Sequence, residues 1–226
     1  MTRAFAAFAA LLLASPAVCT AGPVRHLEYA FTIYPTAKVA RGAIGQIEGP
    51  GTGTMSVDVG GLAPDGGTIV EATQWWWHAV RPEQTRTCEV YANGSLSCGA
   101  LPLPSPAENV LLPLLARDFY GAGSSWRRDY TMTYTANQYR WTAALDLRVV
   151  GGGEVAGKRV VRIASKGVLT PVGGPLNRLI ESGTIAYDPA RGIPIAVHDE
   201  RAATSLRSID APRSVDLALI SDSLSR

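Results

Sequence analysis

The chain has 226 residues, 46% of them apolar, with 21 basic against 19 acidic side chains and a net charge of +2. That apolar share excludes wholesale disorder. The near balance of charge argues against nucleic acid as a partner, since a polyanion-binding domain is usually strongly basic.

The N-terminus predicts export. Arg3 supplies a positive start, and Ala4 to Ala14 form an apolar stretch too short to cross a bilayer as a helix. Cys19-Thr20-Ala21 then offers a small-x-small cleavage site, which makes residues 1–21 a signal peptide and 22–226 a single β-rich domain in the periplasm or outside the cell. A lipid anchor on Cys19 is the alternative, but Pro16-Ala17-Val18 makes a poor lipobox. No later stretch is apolar for long enough to span a membrane.

Alternation then dominates. Leu27, Tyr29, Phe31 and Ile33 share one face of a first strand, and Met55, Val57 and Val59 one face of a second. Ala63 to Gly67 is a turn, and a third strand returns from Ile69 to Arg81. Cys88 and Cys98 flank an Asn-Gly hairpin. A two-residue loop would place the sulfurs on opposite faces. A three-residue loop, Ala92-Asn93-Gly94, with Gly94 in the left-handed bulge position, sets the cysteines opposite one another at a non-hydrogen-bonded pair, and in an oxidising compartment it predicts a disulfide.

Ser105-Pro106-Ala107-Glu108 is a capping box with proline at the first helical position. Pro113 interrupts the helix, which predicts a kink or two short helices ending near Tyr120, covering or plugging one face of the sheet. Strands resume at Trp126 and Tyr139. Gly151-Gly152-Gly153 is expected to turn the chain, and Asp188 to Gly192 to join two antiparallel partners before a last strand at Val215 to Leu219.

About ten strands with one helical interruption predict a mostly β fold, a curved antiparallel meander. The run Gly183-Thr184-Ile185-Ala186-Tyr187-Asp188-Pro189-Ala190-Arg191-Gly192-Ile193-Pro194 resembles the strand, turn and returning strand of the LolA/LppX-like periplasmic carriers and related exported families, a likeness covering about residues 126 to 205. The resemblance implies a half-barrel with a helical lid over an apolar concavity for lipid-like ligands. It brings no catalytic residues.

Trp75, Trp76 and Trp77 are the candidate ligand-binding residues. On a strand Trp75 and Trp77 face one way and Trp76 the other, and indole gives a large apolar surface with one N–H donor. Core packing is the competing explanation for them. His26, His78 and His198 stand outside metal-ligand spacing, so neither a metal nor another cofactor is expected. His198 and Glu200 share a strand face and can pair, but no nucleophile elbow accompanies them. The expected function is therefore non-enzymatic binding of a hydrophobic or lipid-like molecule in the cell envelope. Docking of an envelope protein is one alternative, and a hydrolase built on His198 the other.

Overall fold

The computed structural model describes residues 25–35, 51–76, 84–99, 105–121, 123–134, 139–173, 178–203 and 213–223. The segment read as a signal peptide, with Cys19, and the positions Trp77 and His78 lie outside them.

Among the described residues eleven strands form one closed barrel: β1 (Arg25–Pro35), β2 (Gly51–Leu62), β3 (Thr68–Trp76), β4 (Gln84–Val90), β5 (Leu96–Cys98), β6 (Ser125–Tyr134), β7 (Tyr139–Val155), β8 (Lys158–Pro171), β9 (Leu179–Asp188), β10 (Ile193–Ala203) and β11 (Arg213–Asp222). Each strand neighbours the next in sequence, and β1 pairs with β11, Phe31 opposite Leu217, to seal the ring. The expected half-barrel is thereby corrected to a full one. Closure leaves no long sheet edge, the feature that makes an open sheet of this size prone to pair with other chains.

An odd number of strands cannot close through antiparallel pairs alone, because directions alternating around an odd ring clash at one seam. Here the seam is β5–β6, which pair in parallel, Leu96 with Met132 and Cys98 with Tyr134. Parallel neighbours require a crossover. It is supplied by α1 (Pro106–Leu111) and the 3-10 turn Leu112–Leu115 that continues it.

That crossover runs inside the barrel. Ala107, Leu111 and Leu112 are fully buried, and the segment packs against β1, β10 and β11 on one side and β4 on the other. Ser105 starts the helix as the cap residue of a complete capping box, its hydroxyl accepting from Glu108 N while Glu108 Oε2 accepts from Ser105 N. At Pro113 the helix tightens into 3-10 geometry, and Ala116 is already extended, so the helical part stops short of the expected Tyr120. Side chains can fill an eight-stranded barrel. Eleven strands leave a wider lumen, and the crossover fills it.

The hairpin forms as expected. Tyr91 N donates to Ser95 O, Gly94 N donates to Tyr91 O, Gly94 has φ +89°, and Cys88 and Cys98 are bonded across a pair with Cα atoms 4.1 Å apart. The glycine run behaves otherwise. Gly151, Gly152 and Gly153 continue β7 opposite Arg162, Val161 and Val160 after a bulge at Val149, and the chain turns at Ala156-Gly157, both with positive φ. A primed two-residue turn matches the twist of its strands, and Gly157 takes its second position without strain.

Replacing Cys88 and Cys98 by serine should lower stability by about 2–3 kcal/mol, the loop-closure value for so short a bridge. Thermal unfolding of the double variant measures it. An unchanged midpoint would mean that the barrel wall alone holds the hairpin.

Candidate functional site

The strand ends Ile33, Gly51, Trp76 and Tyr134 gather at one mouth of the barrel, and Arg25, Val90, Asp188 and Asp222 at the other. Trp76 points inward at the first mouth. Its ring meets Phe31 edge-to-face at 4.9 Å and lies over Gly51, where a Cβ would come within 2.6 Å of the indole. Gly53 makes the same room for Phe31, its would-be Cβ standing 2.6 Å from that ring. Trp75 points outward beside Thr54 and is 38% exposed, while Trp76 is half-buried. The opposite orientation of Trp75 and Trp76 is thus as expected from strand geometry. Trp76 belongs in part to the core, and its neighbour offers an open aromatic surface.

Beneath this mouth the lumen is polar. Gln74 Nε2 donates to Ser105 Oγ at 2.7 Å, Arg86 Nε to Glu108 Oε2 at 3.1 Å, and the Tyr134 hydroxyl to Asn109 Oδ1, so three wall strands grip the start of the plug. Glu108 therefore has two tasks, capping its own helix and neutralising a buried guanidinium. Burial raises its pKa, with Arg86 opposing the shift. Sequence spacing revealed the first task and not the second, because Arg86 approaches it from a different element.

On the far wall, Arg201 faces Asp199 at 2.8 Å and Glu181 at 3.2 Å, all three buried, with Ser165 and Gly183 in the adjoining row. Gly183 has no alternative here: a Cβ would sit 2.4 Å from His198 O. Two carboxyl groups against one guanidinium favour retention of a proton by the pair. Burial, together with the neighbouring Asp199, pushes Glu181 up to about 7 against the pull of Arg201. No sequence motif marks this cluster. Glu181 and Arg201 belong to different strands, and only the register sets them opposite each other.

His198 lies on the outer wall. Its Nδ1 is 2.6 Å from Asp216 on β11 and its Nε2 3.4 Å from Glu200, the partner anticipated from the strand spacing. The bond to Asp216 raises its pKa. Both ring nitrogens face carboxylates, an arrangement that a surface ion pair accounts for in full. His26 has a similar partner, Asp58 at 2.7 Å. Among the described residues no group of three or more His, Cys, Asp or Glu side chains could hold a metal ion.

The chain matches no known protein family, no curated protein and no solved structure.

The buried polar groups of the lumen make stability sensitive to substitution and to pH. Glu108→Ala leaves the Arg86 guanidinium buried without its anion and removes half of the capping box, and should cost about 3–5 kcal/mol in denaturant unfolding. Glu108→Gln, which keeps the shape and the cap acceptor, should cost less. Glu181 holds its proton in the fold up to about 7 but loses it near 4.5 when unfolded, so the stability tied to it is complete below pH 4.5 and lost as pH rises through 7. His198, also raised, works in the same direction. The melting temperature should accordingly be a few degrees higher at mildly acidic pH than at mildly alkaline pH. Glu181→Gln should remove most of that slope; an unchanged slope would place its origin elsewhere.

Proposed function

We propose that the chain is an exported, non-enzymatic binding protein that takes an apolar or lipid-like ligand at the tryptophan mouth of its barrel. The observation that carries this reading is the pair of indoles on the two faces of the rim: Trp75 exposed on the outer wall, and Trp76 half-buried on the inner side against Phe31. Barrel mouths are frequent ligand sites, and indole suits a ligand with one apolar and one polar end. The disulfide is consistent with an oxidising compartment, and the resemblance of the second half to LolA/LppX-like carriers points the same way.

The barrel alters where such a ligand would sit. A half-barrel would hold it in the concavity, but here the crossover and its polar partners occupy the lumen, which leaves the rim. The outer wall is polar, with Glu71, Asp129, Asp146, Lys166 and Asp216 at mid-strand, the reverse of the apolar band that a membrane-spanning barrel presents to lipid. Docking of an envelope protein is the second reading. Closure weakens the form of it that relies on strand addition, since the sheet edge is gone.

Native mass spectrometry of protein purified from its own compartment should show a bound lipid-like mass that solvent extraction removes. In titrations with a fluorescent fatty acid, Trp75→Ala should weaken binding about tenfold while leaving the melting temperature unchanged. A clean apo mass together with no binding of the fatty acid would overturn the proposal.

A further inference from the structure

The near-neutral total charge conceals a strong asymmetry around the barrel. Arg127, Arg140, Arg148, Arg162 and Lys166 are exposed on β6, β7 and β8, with Arg178 at the start of β9, and they outnumber the exposed acids of those strands, Asp129, Asp146 and Glu154. The opposite wall, β1 to β3 with β10 and β11, carries Glu28, Asp58, Glu71, Glu200 and Asp216, and among the described side chains no lysine or arginine points outward from it.

The basic wall also carries a shallow, open groove. Two adjoining hollows of about 570 and 810 Å³ share Arg127, Asp146 and Lys166 and run from Trp126 on β6 to Ile180 on β9. The groove crosses three strand spacings, about 15 Å, longer than a single sugar ring. Small outward side chains, Ala144 and Ala164, form its floor. Thr131, Thr142 and Thr170 stand in register across β6, β7 and β8, a row of hydroxyls that can donate and accept. Arg127 pairs with Asp129 at 3.2 Å and Asp146 lies between the two hollows, so the excess positive charge of the lining comes from Arg148, Lys166 and Arg178.

We propose that this groove binds an anionic polysaccharide, its cations meeting the acidic groups of the chain and its threonines the sugar hydroxyls. An acidic peptide fits less well. Binding by strand addition is closed to it, because the backbone groups of β7 and β8 in the groove floor are already spent on neighbouring strands, and side-chain contacts alone would have to hold it. The site is separate from the tryptophan mouth and is independent of the ligand proposed there.

Calorimetric titration of the full chain with polygalacturonate tests the assignment, with neutral dextran and poly-glutamate as comparators. Polygalacturonate should bind, weaken with added salt, and lose about tenfold in affinity in the pair Arg148→Gln with Lys166→Gln, which changes net charge by as much as the comparator pair that follows. The pair Thr85→Glu with Ala218→Glu changes net charge in the same direction on other parts of the wall, and should lose far less. The proposal is overturned if polygalacturonate does not bind, if both variant pairs lose affinity equally, or if dextran binds as well. Tighter binding of poly-glutamate than of polygalacturonate would assign the surface to an acidic protein instead and overturn it too.

Discussion

The structure depends on what lies inside the barrel. Eleven strands enclose more space than their inward side chains can fill, and an odd ring must contain one parallel seam that needs a crossover. A single segment, Ser105 to Ala116, meets both requirements by running through the lumen instead of around the outside. The wall determines the direction of the plug, and the plug gives the wall a core to close upon.

Burying this segment brings polar groups with it. The helix start carries unsatisfied N–H groups into the interior, where the capping box satisfies some and Glu108 ties the cap to Arg86. The second buried cluster, Glu181 with Asp199 and Arg201, is neutral only while one carboxyl keeps its proton. The lumen thus has an apolar middle around Leu27, Tyr29 and Ile193 with polar groups at both ends, the hydrogen-bonded network under the Trp76 mouth and the ion pairs of Asp222 with Arg25 and Arg191 at the other. A filled lumen also moves any ligand outward, and this links the architecture to both proposed sites.

Much of the wall was legible in the sequence. Period-two alternation located most of the strands, and the hairpin loop came from asking which register lets Cys88 and Cys98 meet. The capping box marked Ser105 as a helix start. The glycine run misled because glycine also tolerates an extended, bulged strand, and the turn went to Ala156-Gly157, where primed-turn geometry suits the twist. The half-barrel expectation failed for a similar reason: alternation shows that a strand has two faces, not whether the first strand finds the last.

The sequence by itself determined the strands, the disulfide and the helix start, because each rests on neighbours within about a dozen residues. Tertiary structure alone decided the ring closure of β1 on β11, the passage of the helix through the lumen, and the pairing of Arg86 with Glu108 and of Arg201 with Glu181. It also decided the charge asymmetry. A total of +2 says nothing about sides, and only the order of strands around the barrel separates the basic wall from the acidic one.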